Sequence, residues 1–256
     1  MSHPSPGPLT PGPDESLDRI CNDWRIFQLR KGHRFSTDDL LVAWLAAQLR
    51  PNAPLQIDIG SGTGSVGLLT LQHRPADARL VMVEAQEVSV GLARRTVALN
   101  GLADRIEIRH GDLRDPNMLP PHEHGTYPLV TGSPPYFPVG AGVMSPHPQR
   151  AACRMELRGD VFDYCTTAAQ AMSPDGVFCL VHSAVDPRPE AAIDAAGLRV
   201  IRRHDVLFRD GRAPTIAIWA AAFEGERDDA PPIIIRDADG EFNAAYLDIR
   251  ASMGAP

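Results

Sequence analysis

Short, nearly continuous apolar runs alternate along this chain with longer stretches in which apolar positions return at helical spacing. LQIDIG, residues 55–60, reads as a buried strand, and a glycine-rich turn leads from it into a helix over Val66–His73. ARLVMVEA is a second strand, followed by a helix over Glu87–Asn100 that Gly101 closes. Strands follow at Arg105–Arg109 and Tyr127–Thr131, then a helix over Asp160–Met172 and a strand over Gly176–His182. A helix over Glu190–Ala196 precedes strands over Arg199–Leu207 and Thr215–Ala221. Ahead of this series, WRIFQL at Trp24–Leu29 suits a strand, and STDD offers an N-cap to a helix running to Pro51.

Regular strand and helix alternation predicts a doubly wound α/β sheet with helices on both faces, whose ligands sit beyond the carboxyl ends of the strands. SHPSPGPLTPGPDES carries five prolines and almost nothing apolar, so residues 1–18 are expected to be a disordered tail. The rest, residues 19–256, reads as one domain. Residues 19–51 form a strand and helix extension, 52–223 the core sheet and 231–251 a C-terminal strand and helix.

Composition narrows the function classes. No apolar run approaches the roughly 18 residues of a membrane span, and the N-terminus has no basic-then-apolar signal pattern, so a cytoplasmic location without membrane association is expected. The four cysteines form no CxxC pair, and His122 and His124 sit in a Pro- and Gly-flanked loop without further ligands nearby. No metal and no disulfide framework are expected. A net charge of −7 argues against indiscriminate adhesion to nucleic acid, but it leaves room for a local basic face, and Arg150, Arg154 and Arg158 form one of several arginine clusters.

The first turn reads Asp58-Ile-Gly60-Ser-Gly62-Thr-Gly64-Ser-Val-Gly67. Taken from Gly62 it is the GxGxxG fingerprint of nicotinamide enzymes, with Glu84 about twenty residues on. Taken from Gly60, with Asp58 before it, it has the form used by S-adenosylmethionine-dependent methyltransferases. The strand ends at Gly60, which favours the second frame. A nucleoside sulfonium needs close backbone approach and a carboxylate for its ribose hydroxyls, and the glycines and Glu84 provide these. Asp112, after the third strand, stands where an adenine amino group would be met.

VTGSPPYFP, residues 130–138, follows the fourth strand, and its two prolines hold the chain rigid. An exocyclic amine on a nucleobase is a poor nucleophile because its lone pair is delocalised. The Ser133 hydroxyl and Pro134 carbonyl can accept its hydrogens and favour a pyramidal nitrogen. Pro135 adds rigidity, and Tyr136 offers a stacking face for a base.

On these residues the chain resembles the bacterial tRNA adenine-N6 methyltransferases that modify the anticodon loop of a valine tRNA, within the class I amino-methyltransferases. The resemblance runs from RKGHRFSTDDLLVAW through DIGSGTG, VEAQ, GDL and SPPY to HPQRAACRME and IIIRDADGEFNAAY. It implies a Rossmann-like class I fold with a seven-stranded, mostly parallel sheet, S-adenosylmethionine as donor with S-adenosylhomocysteine as product, and a tRNA partner. It also implies that Thr37, Asp38, Asp58, Gly60, Ser61, Gly62, Gly64, Glu84, Asp112, Leu113 and Ser133 bind the cofactor. Ser133, Pro134, Pro135 and Tyr136 would be catalytic, and Tyr136, Arg150 and Arg154 would meet the RNA. Where the family has Asn, this chain has Ser133, a shorter side chain spelled as in DNA cytosine-N4 methyltransferases. Methylation of a DNA base or of a protein glutamine are alternative readings, and a nicotinamide oxidoreductase is the alternative from another class. The loop from Phe137 to Arg158 is expected to be a mobile cover.

Overall fold

The computed structural model describes residues 7–141 and 144–256. Eleven strands and seven α-helices occur among them, in the order β1 (Glu15–Cys21), β2 (Trp24–Leu29), α1 (Thr37–Leu49), β3 (Leu55–Ile59), α2 (Ser65–Gln72), β4 (Arg79–Glu84), α3 (Glu87–Leu99), β5 (Ile106–His110), β6 (Tyr127–Gly132), α4 (Pro148–Arg154), α5 (Val161–Ala171), β7 (Met172–Ser183), α6 (Arg188–Ala195), β8 (Arg199–Leu207), β9 (Ile216–Ala222), β10 (Asp228–Asp229), β11 (Ile233–Ile234) and α7 (Ala244–Ser252). No helix among the described residues is long and apolar enough to cross a membrane.

The main sheet runs β10-β8-β9-β7-β6-β3-β4-β5, with β11 also paired to β8. Its seven longer strands match the expected count. β5, β4, β3, β6 and β7 are parallel, and β9 enters antiparallel to both β7 and β8. Strand order reverses between β3 and β6, so the crevice expected of an open α/β sheet opens beyond Ile59 and Gly132.

Side-chain alternation divides the core in two. Leu80, Met82, Leu129, Cys179, Val181, Ile216 and Ile218 face one layer with α1 and α2, while Ile57, Ile59, Val81, Val83, Val130, Phe178 and Trp219 face the other with α5 and α6. Gln56 and Asp58 turn toward the α2 side, where no apolar neighbour could satisfy them. There they form a buried polar chain. Arg74 Nη1 donates to Gln56 Oε1 at 2.7 Å, Gln56 Nε2 donates to Thr131 Oγ1 at 2.9 Å, and Thr131 donates to Asp58 Oδ1 at 2.8 Å.

Two expectations need correction. The tail does not extend to residue 18, because Glu15–Asp18 lie in β1, which pairs antiparallel with β2. A register shift between Arg19 and Cys21 disrupts the apolar alternation that would have marked this strand, and its turn is only Asn22-Asp23, with Asn22 at φ 43°. Residues 1–6 of the expected tail lie outside the described residues. From 7 on the chain is held, since Arg95 donates to the carbonyls of Pro8 and Thr10 and pairs with Glu15 at 2.8 Å. The second correction concerns residues 148–154, expected within a loop and found as α4, with Pro148 in the first turn and a run of helix-forming residues after it.

The β1–β2 hairpin is part of the folded unit, since Phe27 is fully buried and its N–H donates to Thr96 Oγ1 at 3.0 Å. Phe27→Ala should therefore cost about 3–5 kcal/mol of unfolding free energy in a urea titration; a cost below about 1 kcal/mol would mean that the hairpin is an independent appendage.

Candidate functional site

The glycine loop leaves β3 at Gly60 and enters α2 at Ser65. Gly60 has φ 65°, and a Cβ there would lie 1.9 Å from the Tyr164 hydroxyl, so the loop closes over that ring only because position 60 is bare. Gly62, at φ 58°, has nothing within 4 Å of where a Cβ would stand, and its bare side is open space. Its N–H donates to Glu84 Oε2 at 2.8 Å, while Glu84 Oε1 accepts from the Gln86 N–H at 2.7 Å. Each oxygen keeps a free lone pair for a further donor. Asp58 ties the loop to α2, its Oδ2 accepting the Gly67 N–H at 3.1 Å, and it also lines the pocket above the loop. Asp58 thus organises the loop.

An enclosed pocket forms above this loop. Gly60, Ser61, Gly62, Glu84, Leu113 and Ser133 all line it, as expected, together with Asp39 and Tyr164. Asp112 is not among its lining residues. It sits at the rim, where Arg114 donates to both of its carboxylate oxygens at 2.7 and 2.8 Å and holds its carboxyl below the usual range.

Helical rotation explains what happened at the start of α1. Successive residues turn by about 100°, so three neighbours serve three places. Thr37 leaves the site, its hydroxyl 3.2 Å from the Tyr246 hydroxyl of α7. Asp38 accepts the Tyr136 hydroxyl at 2.7 Å. Asp39, buried, lines the enclosed pocket and accepts the Ser36 N–H at 2.9 Å. Of the run TDD at this helix start, the sequence points to Thr37 and Asp38, and Asp39 is the member that lines the pocket.

A second, open groove lies on the other side of Ser133 and Pro134, lined by Tyr136, Phe137, Arg150 and Arg154 and by Arg30 and Lys31 of the β2–α1 loop. Ser133, Asp39, His33, Phe35 and Cys153 line both cavities, so the groove and the pocket meet at SPPY. The Ser133 hydroxyl is buried and has no hydrogen-bond partner among the described residues.

The loop after β6 is braced from below. His182, fully buried in β7, approaches the Pro135 carbonyl with Nε2 at 3.3 Å, and its ring lies 5.0 Å from that of Tyr136. Arg188 Nη2 donates to the Tyr136 carbonyl at 3.4 Å and is itself fixed by Glu156 at 2.6 Å and Asp186 at 2.6 Å. Burial holds the His182 imidazole down at about 4, hence neutral, so Nε2 carries its proton as a donor when Nδ1 does not. No donor among the described residues reaches the Pro134 carbonyl. None of these braces was marked in the sequence, because His182 and Arg188 read as ordinary strand-end and helix-start residues.

α4 roofs the enclosed pocket. Gln149 bridges Ser89 Oγ, by donation from Nε2 at 3.1 Å, and the His33 N–H, by acceptance at 3.0 Å, while Gln86 Nε2 donates to Cys153 Sγ at 3.3 Å. With Gln149 and Cys153 turned inward at i and i+4, Arg150 and Arg154 turn toward the groove, and the Arg154 guanidinium stands 5.4 Å from the Phe137 ring centroid. Gly142 and Val143 of the expected cover lie outside the described residues, and within that cover α4 is docked by these bonds.

The comparisons agree with this architecture. Residues 35–141 match the methyltransferase small domain family, and the fold superposes on a predicted O-methyltransferase of Agrobacterium tumefaciens with a TM-score of 0.63 at 20% identity, covering 86% of this chain and 98% of that one. The chain has the class I methyltransferase fold. A geranyl diphosphate methyltransferase solved in complex with S-adenosylmethionine gives a TM-score of 0.53 at 13% identity over 73% of this chain and 85% of that one. Among curated relatives, a release factor glutamine methyltransferase of Mycolicibacterium smegmatis is 31% identical over 62% of this chain and 47% of its own. A tRNA1(Val) (adenine(37)-N6)-methyltransferase of Aeromonas hydrophila is 25% identical over 84% of this chain and 88% of its own. The chain thus spans about half the length of the first relative and most of the second.

Burial, with mutual repulsion between the pocket acids added, pushes Asp39 and Asp58 up to about 7. An unfolded chain releases these protons near pH 4 and the folded one only near 7, so each carboxyl costs stability as pH rises through that window, with no further change above it. The stability of the wild type relative to Asp58→Asn should accordingly fall between about pH 4 and pH 7 and then level off. Urea unfolding of both proteins across that range checks it, and a difference independent of pH would refute the assignment.

Proposed function

We propose that this methyltransferase transfers the methyl group of S-adenosylmethionine to the exocyclic amine of a nucleobase in RNA, with adenine N6 of a tRNA as acceptor. One observation carries the reading: the buried Ser133 hydroxyl, without a partner among the described residues, stands where a pocket lined by Asp39, Asp58 and Glu84 opens into a groove lined by Arg30, Lys31, Arg150 and Arg154. The relative of Aeromonas hydrophila bears the matching activity in its name and aligns with most of the chain. A cytosolic enzyme acting on tRNA is the setting this implies.

The enclosed pocket fits the donor. The open space beside Gly62 admits close backbone approach, Ser61 Oγ is buried without a partner among the described residues, and Glu84 has lone pairs to accept ribose hydroxyls. Leu113 supplies an apolar wall for an adenine ring, and Asp39 supplies a carboxylate for the cationic methionine end. When bound, S-adenosylmethionine supplies an electrophilic methyl carbon on a sulfonium sulfur.

On the acceptor side, Ser133 Oγ and the Pro134 carbonyl accept the two amine hydrogens and hold the nitrogen with its lone pair toward the pocket. The next two carbonyls are occupied by His182 and Arg188, which fixes the loop and leaves Pro134 as the free acceptor. Holding both reactants at attack distance converts an encounter into an intramolecular step, and this supplies much of the rate. Tyr136 is kept in place by Asp38 and presents its ring to the groove, where a base lifted from its stack can lie. Arg150, Arg154, Arg30 and Lys31 meet the phosphates.

A protein glutamine is the second reading, favoured by the release factor relative at 31% identity. Its acceptor nitrogen would use the same Ser133 and Pro134, but it gives the basic groove no purpose. Incubation with labelled donor and separate pools of tRNA, rRNA, DNA and protein, followed by mass spectrometry of nucleosides and peptides, distinguishes them. N6-methyladenine in tRNA is the expected product, and label in glutamine would overturn the proposal.

At saturating donor, Ser133→Ala and Tyr136→Ala should lower turnover about a hundredfold with S-adenosylhomocysteine affinity within about twofold of wild type by calorimetry. Glu84→Ala should instead weaken that affinity at least tenfold, by about 1.4 kcal/mol or more. Loss of S-adenosylhomocysteine binding in Tyr136→Ala would remove the stacking role assigned to it.

A further inference from the structure

The segment IIIRDADGEFNAAY, Ile233–Tyr246, takes no part in either cavity described above. It forms β11, a turn and the start of α7, and it builds a third cleft against Phe35, Ser36 and Phe208. Ile235 is buried and anchors the segment, while Phe242 remains 37% exposed. Two guanidinium groups gather on the Phe242 ring, Arg236 at 4.1 Å and Arg250 at 5.0 Å from its centroid. Neither is in an ion pair among the described residues, and Arg236 donates only to the Gly240 carbonyl at 2.7 Å. The nearby Asp237 carboxylate serves its own turn, Oδ1 accepting the N–H groups of Gly240 and Glu241 at 2.9 and 3.0 Å, and it forms no ion pair with either guanidinium among the described residues. Two cations held on one ring repel each other, and the ring's quadrupole offsets only part of that repulsion. An anion between them would relieve the rest.

The third cleft is continuous with the basic groove, because Phe35, Ser36 and Phe208 line both. Phe208 follows the last residue of β8 and is 40% exposed at this shared boundary. We propose that this cleft is a second nucleotide subsite, in which Phe208 stacks the base next to the methylated one and Arg236 and Arg250 take the phosphates of the strand leaving the groove. The inference rests on the RNA reading of the groove. An aromatic face beside paired guanidinium groups is the chemistry that holds single-stranded nucleic acid without reading its sequence.

The test uses the full chain and bulk tRNA from cells lacking the protein, with binding followed by fluorescence anisotropy over a salt series. Arg236→Ala/Arg250→Ala should weaken tRNA binding about tenfold or more and flatten the dependence of log affinity on log salt by about 1.4, or 0.7 for each lost single-strand phosphate contact. Arg236→Lys/Arg250→Lys should restore the salt slope, and Phe208→Ala should weaken binding while leaving that slope unchanged. Each variant is to keep wild-type S-adenosylhomocysteine affinity and melting temperature, which separates lost contacts from lost folding. Unchanged affinity and slope in the alanine pair would overturn the subsite while leaving the RNA reading intact. Absence of tRNA binding by the wild type would instead overturn the RNA reading, and the subsite with it.

Discussion

Asp58 joins the two strands between which the sheet reverses. Its carboxylate accepts a hydroxyl from β6 and an N–H from α2 while its backbone lies in β3, and the chain of donors behind it runs through Thr131 and Gln56 to the buried Arg74. A polar chain inside an apolar layer is tolerable only when every member is satisfied. Here that requirement fixes the spacing of β3, β6 and α2 together, and so fixes where the glycine loop and the SPPY loop stand relative to each other. Both loops leave the sheet one residue beyond that joint.

From that joint the site is assembled by rotation and alternation. Three consecutive residues of α1 reach the C-terminal cleft, the tyrosine of the SPPY loop and the enclosed pocket in turn. α4 divides its residues the same way, with Gln149 and Cys153 holding the roof down and Arg150 and Arg154 facing the groove. Short helices placed at a rim let one segment serve a pocket and a groove at once.

Most of the strands and long helices were legible because their apolar periods are uninterrupted over several residues, and the glycine loop, Glu84 and SPPY carried the site by their order along the chain. What escaped shares a physical cause. β1 hid behind a register shift at Arg19–Cys21, and α4 is too short for its period to register. Asp39 hid one residue beyond the acid that was chosen. His182 and Arg188 act by holding backbone carbonyls, a role that any donor at the right place can fill and that leaves no motif. Asp112 illustrates the reverse: an acid in the expected place is held at the rim by Arg114, which sequence spacing alone does not reveal.

The helix over the pocket also ties two surfaces to one moving part. Its inward face is pinned by Gln149 and Cys153 through three side-chain hydrogen bonds, and its outward face carries Arg150 and Arg154 to the groove. Any displacement of α4 that breaks those three bonds carries the groove's arginines with it, so the shape of the pocket and the charge of the groove change together.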